Sequence, residues 1–277
     1  MPRITVIMPA YQAAATLAHA MASVCRQTCR DWELVVVNDG STDDTGDVAA
    51  RMAATDRRIR VIHHERNLGA ATAMNRAWRS GAAPLVALLD ADDAALPQRL
   101  ALQAEYLAGQ ADVAVLGGTA HCLDSAGNFL RTLAPPARHE DLLRRRWHVS
   151  PFIHSTVMMR RSFLETTGGY EDGLRLGEDY DLWMRGFQHG GFRYRNLDVP
   201  LALYRSRPIQ PWIMVRAGAR ARWRAGQRER QAMRGALAAG RVLLEGAVEQ
   251  SGLFVWRERR RFAGRPPAAM WESLGEA

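Results

Sequence analysis

The sequence predicts an α/β fold, in which a mostly parallel sheet carries helices on both faces and a helical C-terminal extension follows. Two observations support this prediction. Short apolar runs alternate with single helical segments through the first third of the chain, and strands joined in this way run parallel. The 277 residues are also enough for one large domain with an extension.

The first half contains four short apolar runs that we predict as strands: Ile4–Met8, Glu33–Asn38, Ile59–His63 and Leu85–Leu89. The segments between them have helical periodicity, and the predicted helices are Thr16–Gln27, Asp44–Ala54 and Ala70–Trp78. In a parallel sheet, the loops that follow the strands meet at one edge, and ligands bind there. We therefore expect the polar loops after these strands to form a single site.

The second half is less regular, although its elements can still be assigned. We predict a helix from Pro97 to about Leu107 and a second helix over Tyr180–Gln188. The predicted strands are Val113–Gly118, Ser155–Met159, Phe192–Arg195 and Val199–Tyr204. From Pro211 onward the pattern is helical and rich in Arg.

The positive charge of the chain is concentrated at its C-terminal end. The sequence has no Lys, so all 37 basic residues are Arg. Residues 205–277 carry 15 Arg against 6 Glu, a net charge of +9, whereas residues 1–204 have a net charge of −1. The predicted site is therefore not itself basic. Three cysteines without a CxxC pair are typical of reduced thiols, and we expect a cytoplasmic protein.

An acidic cluster follows the fourth predicted strand. Asp90, Asp92 and Asp93 lie within four positions, and carboxylates this close repel one another unless a cation offsets their charge. Mg²⁺ and Mn²⁺ prefer such oxygen ligands and often bridge them to phosphates, so the cluster predicts a metal–nucleotide site. The alternative is an acidic turn in which Asp92 or Asp93 caps the helix after Pro97.

The chain lacks the Gly-rich phosphate motifs GxGxxG after its first strand and GxxxxGK[ST] anywhere. It instead resembles the family 2 glycosyltransferases of the GT-A fold, through five segments in the family's order over about residues 3–205. These segments are Val6 to Gln12, Asp31 to Asp43, Asn67 to Asn75, Leu89 to Asp93 and Gly177 to Arg185.

The resemblance implies an enzyme that moves a sugar from a nucleotide sugar, most simply a UDP-sugar, to an acceptor hydroxyl with inversion. It also implies a Mg²⁺ or Mn²⁺ cofactor, a glycan or lipid-linked glycan acceptor, and a role in bacterial cell-surface polysaccharide or glycoconjugate synthesis. Residues 1–110 would form the nucleotide-sugar half of the domain and residues 111–205 the acceptor half. Residues 206–277 would form the Arg-rich extension.

The same resemblance assigns donor-site residues. Pro9 and Tyr11 would flank the nucleobase, where an aromatic face can stack, although Tyr11 also fits an ordinary exposed loop aromatic. Asp39 would accept a hydrogen bond from the base, or form an Asx-turn with Gly40 and Ser41. Asp92 is expected near the ribose and Asp93 as the metal ligand, with the choice between these two left open.

On the acceptor side, the resemblance makes Asp179 the general base that takes the proton of the acceptor hydroxyl. Glu178 is assigned to acceptor binding, and a helix N-terminus would also explain both acidic residues. Trp183 either forms the wall against the acceptor sugar or packs in the core. His154 either reaches the site or has a structural role. Where the family often has His, this chain has Arg207, which would then face the diphosphate.

Other classes of function compete with this one. A catalytically silent nucleotide-sugar-binding scaffold is the main alternative, and the retained Asp39, Asp92, Asp93 and Asp179 argue against it. Nucleic-acid binding lacks a recognition motif. The basic extension, over residues 206–265, either contacts an anionic membrane surface or packs on the catalytic domain as a helical flap.

Overall fold

The computed structural model describes residues 3–148, 150–174, 176–206, 211–228 and 232–250. Within these residues, nine strands form one sheet. They are β1 (Ile4–Ala10), β2 (Trp32–Asn38), β3 (Ile59–His63), β4 (Leu85–Leu88), β5 (Ala94–Ala95), β6 (Val113–Leu123), β7 (Phe129–Leu133), β8 (Met158–Arg160) and β9 (Arg193–Arg205).

The sheet has the order β3-β2-β1-β4-β8-β6-β9-β5, with β7 paired to β6. The first four strands in this order, β3, β2, β1 and β4, are parallel, as the strand–helix alternation predicts. β8 then pairs antiparallel with both β4 and β6, and β9 runs parallel to β6. The predicted α/β class is confirmed, with its purely parallel part confined to the N-terminal half.

Helices cover both faces of the sheet, and the last two of them pack on another helix rather than on the sheet. The helices are α1 (Leu17–Cys25), α2 (Thr45–Thr55), α3 (Ala70–Ser80), α4 (Arg99–Gly109), α5 (His139–Arg145), α6 (Arg161–Thr167), α7 (Glu178–His189), α8 (Pro211–Arg228) and α9 (Ala232–Gln250). Alternate residues of β1 show why both faces are covered. Val6 and Met8 pack with α1 and α4 in one buried cluster, whereas Ile7 packs with α3 and α7 in another.

Three predicted strands of the second half differ from the structure. The segment Ser155–Met159 is not one strand, because a 3₁₀ turn over His154–Thr156 precedes the short strand β8. The Thr156 hydroxyl donates a 2.7 Å hydrogen bond to the Ile153 carbonyl and stabilises that turn. The two strands predicted over 192–204 form the single strand β9, whose pairing with β6 is interrupted by register shifts.

The first helix of the extension packs against α7. The guanidinium of Arg228 on α8 lies 2.6 Å from the buried carboxylate of Asp181 on α7. Arg222 stacks 4.6 Å above the ring of Tyr180 and donates a hydrogen bond to the Trp147 carbonyl. The helical-flap alternative is therefore correct for this face of α8. Among the described residues, no helix is both long and apolar enough to cross a membrane.

Candidate active site

The loops after β1 and β2 are joined at the carboxyl edge of the sheet. The side-chain oxygen of Gln12 accepts hydrogen bonds from the main-chain N–H groups of Thr42 (2.8 Å) and Asp43 (3.2 Å). Gln12 itself has a φ of 50°, in the left-handed region, and its N–H donates to the Ser41 hydroxyl. These bonds hold the two loops in a fixed relation, with Pro9 half-buried and Tyr11 51% exposed beside them.

Asp39 follows β2 at the same edge of the sheet and binds a third loop. Its carboxylate is buried, and it accepts the N–H groups of Leu68 at 3.0 Å and Gly69 at 2.8 Å. The Nδ1 atom of His64 lies 2.7 Å from the same carboxylate, which can only accept, so Nδ1 carries the proton. Asp39 therefore anchors the loop between β3 and α3.

Among the described residues Asp39 does not form the Asx-turn that was its alternative role, and a side-chain bond of its neighbour closes the loop instead. The side-chain oxygen of Asn38 accepts the N–H of Ser41 at 3.1 Å. Gly40 has a φ of 69°, and a Cβ there would lie 2.2 Å from the main-chain carbon of Arg66. Only glycine therefore fits where the loop after β2 approaches the loop between β3 and α3.

The acidic cluster is divided between the surface and the interior. The N–H of Asp93 donates to the Asp90 carbonyl, and this tight turn turns the Asp93 side chain inward, to 4% exposure. There its Oδ1 accepts the main-chain N–H of Arg205 at 2.7 Å. Burial, together with the charges of Asp90 and Asp92, raises the pKa of Asp93 well above its usual range.

A buried cation lies behind the cluster. The guanidinium of Arg99 on α4 donates to the carbonyls of Leu88 (2.7 Å) and Val157 (3.0 Å). Burial lowers the pKa of Arg99 to about 9, against the opposing effect of the nearby Asp93 and Asp90. Because α4 begins at Arg99 after Gln98, neither Asp92 nor Asp93 caps it, and the capping alternative is wrong.

The donor atoms at the cluster fit a hard cation. Asp90 is 29% exposed at its side chain and Asp92 is partly exposed, so both present carboxylate oxygens at the carboxyl edge, whereas Asp93 does not. No group of three or more His, Cys, Asp or Glu within the described part of the chain could hold a metal ion by itself. Oxygen ligands suit Mg²⁺ and Mn²⁺, and phosphate oxygens would have to complete the coordination.

Glu178 and Asp179, which the sequence predicts for the acceptor side, lie in the first turn of α7. Gly177 precedes the helix with a φ of 79°, and the Asp179 carboxylate accepts the N–H of Tyr180 at 2.6 Å. The Oε2 atom of Glu178 is buried and has no hydrogen-bond partner among the described residues. Burial and then the adjacent charge of Asp179 raise the pKa of Glu178 to about 7.

His154 links the acidic cluster to the acceptor side. Its Nδ1 lies 3.1 Å from the Asp90 carboxylate, and its Nε2 lies 3.3 Å from the Tyr170 hydroxyl. Although burial opposes a charged ring, Asp90, Asp179 and Glu178 together raise the pKa of His154 to about 9. The ring is therefore a cation at neutral pH. The sequence left the role of His154 open because only tertiary packing brings Asp90 and Tyr170 to its two nitrogens.

One other predicted position, Trp183, can be compared with the structure. Trp183 has no exposed surface, and its ring packs 5.1 Å from Phe152 and 6.3 Å from Phe163. The structure therefore corrects the expectation that its indole forms a wall against the acceptor, because the ring belongs to the core. Arg207 lies outside the described residues, as does the arginine cluster from Arg257 to Arg261.

Comparisons with known proteins agree on one family. The model of the family described as Glycosyl transferase family 2 matches residues 5–168. The protein EpsE of Bacillus subtilis (strain 168) is 32% identical over 209 residues, which cover 74% of this chain and 73% of EpsE. The succinoglycan biosynthesis protein ExoU of Rhizobium meliloti (strain 1021) is 36% identical over 203 residues, which cover 69% of this chain but only 58% of ExoU.

Solved structures share the fold at low sequence identity. TarS from S. aureus, in complex with UDP-GlcNAc, has a TM-score of 0.68 and 19% identity, covering 89% of this chain and 72% of that one. The mannosyltransferase PcManGT from Pyrobaculum calidifontis, in complex with GDP-Man and Mn²⁺, has a TM-score of 0.63 and 21% identity, covering 98% and 79%.

Proposed function

Because this chain belongs to glycosyltransferase family 2, we propose that it transfers a sugar from a UDP-sugar to an acceptor hydroxyl with inversion at the anomeric carbon. The observation that carries this proposal is the position of His154, which brings the Asp90 side of the site next to Glu178 and Asp179. A donor diphosphate and an acceptor hydroxyl bound at these two sides would meet. Residues 1–110 are the proposed donor half and residues 111–205 the acceptor half.

The donor base is proposed to bind between the loops after β1 and β2. The exposed ring of Tyr11 offers a face for stacking, next to Pro9. A carboxylate has roughly four lone-pair sites, and Asp39 uses three of them on Leu68, Gly69 and His64. One acceptor site therefore remains for an N–H of the base. Uracil offers such an N–H, as guanine also does, and the complex of TarS with UDP-GlcNAc supports the choice of UDP.

We assign the cofactor, Mg²⁺ or Mn²⁺, to the exposed side of the acidic cluster. Asp92 with Asp90 would hold it, in place of the buried Asp93, and the mannosyltransferase PcManGT supports divalent metal use through its complex with Mn²⁺. When bound, the cation would offset the negative charge that grows on the departing diphosphate. Asp93 would then keep the turn in place through its bond to Arg205.

Asp179 is the proposed general base. The acceptor oxygen attacks the anomeric carbon, its proton passes to the Asp179 carboxylate, and the bond from that carbon to the diphosphate oxygen breaks on the opposite face. Glu178, with its pKa near 7, is protonated in part at neutral pH and can donate a hydrogen bond to the acceptor. The division of roles follows from environment, because two adjacent carboxylates do not ionise equally.

The proposed biological role is the synthesis of a bacterial cell-surface polysaccharide or glycoconjugate. ExoU supports this role, since it is named for succinoglycan biosynthesis. The acceptor would be a glycan or a lipid-linked glycan. A catalytically silent nucleotide-sugar-binding scaffold remains the second candidate, because an intact donor site alone would serve it.

Binding and turnover measurements test the proposal. We expect UDP to bind by calorimetry and to bind more tightly with Mn²⁺, and we expect Asp92→Asn to lose the effect of the metal. Asp47→Asn, at an exposed position of α2, is the matched control. Release of UDP from UDP-sugars with glycan acceptors, and a product of inverted configuration by NMR, would support transfer. Binding without UDP release would favour the scaffold, and no UDP binding in either condition would overturn the proposed donor.

A further inference from the structure

Helices α8 and α9 pack together through small residues. A Cβ on Gly235 would lie 2.8 Å from the Cα of Gly226 and 2.8 Å from the carbonyl oxygen of Arg222, so the backbones touch. Ala225 and Ala238 are buried and join Tyr180 and Met184 of α7 in one apolar cluster. The described residues of this inner face therefore pack on the other helix or on α7.

The side of α8 and α9 that faces away from this packing, the outer face, carries exposed apolar side chains. Nine large hydrophobic side chains of the described residues are exposed, and four of them lie on α8 and α9. They are Trp223 at 43%, Met233 at 76%, Leu237 at 68% and Leu243 at 37%. Met233 and Leu237 are one helical turn apart and therefore lie on one side of α9. Such a concentration of exposed apolar side chains marks an interaction surface.

Arginines surround these side chains. Arg220 and Arg224 are exposed one turn apart on α8, and Arg234 and Arg241 are exposed on α9. No Asp or Glu occurs in the sequence of α8. These four exposed arginines make the described surface complementary to an anionic partner.

We propose that the outer face of α8 and α9 binds the surface of a lipid bilayer that contains anionic lipids. Apolar side chains would enter the boundary between headgroups and acyl chains, and the arginines would lie among the headgroups. A symmetric dimer through this face would bring like charges together. Nucleic acid is less suitable, because Met233 and Leu237 offer no aromatic face to bases.

The docking of α8 fixes this surface relative to the site. Arg228 binds Asp181, which is two residues after the proposed base Asp179 on α7. A bilayer bound to the outer face would therefore lie on the acceptor side, where a lipid-linked acceptor could reach Asp179. This last step rests on the proposed function, whereas binding to the bilayer does not.

Co-sedimentation of the full chain with vesicles tests the proposal without requiring sugar transfer. We expect binding to vesicles of phosphatidylglycerol and phosphatidylcholine, weaker binding at high salt, and none to phosphatidylcholine alone. The double variant Met233→Ser with Leu237→Ser should lower the bound fraction at least about fivefold, because the apolar area that inserts is lost. Leu102→Ser, at an exposed leucine of α4, should bind like the parent.

A second pair of variants tests the charge separately. Arg220→Glu with Arg224→Glu should lower binding to a similar extent, and Arg51→Glu, at an exposed position of α2, should not. Equal binding by parent and both double variants would overturn the proposal. So would binding to a single-stranded oligonucleotide but not to vesicles, or a dimer that the serine variants dissociate while vesicle binding is unchanged. UDP binding, measured in the same preparations, reports on the donor site independently.

Discussion

Asp39 on the proposed donor side and Glu178 on the proposed acceptor side both carry a carboxylate, but the surroundings of the two carboxylates differ. The Asp39 carboxylate accepts two main-chain N–H groups and lies against the protonated nitrogen of His64. The buried Oε2 of Glu178 has no such donor within the described residues, and the charge of Asp179 stands beside it. The Asp39 carboxylate is therefore surrounded by hydrogen-bond donors, whereas burial and the charge of Asp179 raise the pKa of Glu178.

The difference corresponds to two tasks. Donor binding needs loops that are already in place, and the hydrogen bonds of Asp39 and Gln12 fix them before any ligand arrives. Proton transfer needs a carboxylate at the acceptor hydroxyl, which is the role proposed for Asp179, and the raised pKa of Glu178 lets this neighbour hold a proton near neutral pH. In this proposal the donor side is preformed, and the acceptor side carries the carboxylates that take part in proton transfer.

The largest expected effect is on catalysis, from Asp179→Asn. The amide can still accept the N–H of Tyr180, so the fold should be kept, but it cannot take a proton from the acceptor. We expect the rate of sugar transfer to fall by about 10²–10⁴-fold, while UDP binding is unchanged. Asp198→Asn, at an exposed position of β9, should transfer at the parent rate. Transfer by Asp179→Asn near that rate would remove Asp179 from the role of base.

The next effect should be on stability, from Asp39→Asn. Either orientation of the amide places an NH₂ group against a main-chain N–H that now donates to the carboxylate. We expect a loss of about 2–4 kcal/mol in the free energy of unfolding, measured by urea denaturation. Asp31→Asn, at an exposed position before β2, is the control and should be nearly neutral. An unchanged unfolding midpoint for Asp39→Asn would mean that the donor loops do not depend on this carboxylate.

The smallest effect should be a gain in stability, from Glu178→Gln. The folded protein holds a proton on Glu178 up to a pKa of about 7, whereas the ordinary value is 4.5. The folded state therefore binds more protons between these values, and its stability falls as the pH rises through this window. At pH 8 the variant should be more stable than the parent by about 1–2 kcal/mol, and at pH 4.5 the two should be nearly equal.

Urea unfolding at both pH values measures this difference, and Glu105→Gln on the exposed side of α4 is the matched control. The control should change stability equally little at both pH values. If Glu178→Gln had the same effect at pH 4.5 and pH 8, the carboxylate would be ionised in the folded state as it is in the unfolded chain, and the contrast with Asp39 would disappear.

The N-terminal half was predictable because its signals are local. Each apolar run of β1 to β4 is followed by a polar turn and an amphipathic helix, and this alternation alone determines a parallel sheet. The second half depends on pairings between distant segments. β9 continues through Pro200 because β6 pairs along its whole length with register shifts, and no short-range pattern indicates this partner.

The sequence predicted that the carboxylates after β2 and β4 lie together at the carboxyl edge of the sheet, but it predicted their individual surroundings only in part. Loops after neighbouring strands had to converge, and the structure places Asp39, Asp90 and Asp92 there. Which carboxylate of the cluster turns inward depends on the Asp90–Asp93 turn and on the Arg205 N–H, and Trp183 is buried because Phe152 and Phe163 enclose it. These are tertiary contacts, which spacing along a sequence does not report.

The ion pairs of Asp181 have a consequence for how the molecule unfolds. Its carboxylate is 2% exposed and is shared by Arg185 of α7 and Arg228 of α8. Detaching α8 would leave this charge buried with one partner fewer, which is costly in a low-dielectric interior. The helix that carries Asp179 and the first helix of the extension therefore belong to one cooperative unit, and they should lose their structure in a single thermal transition rather than one after the other.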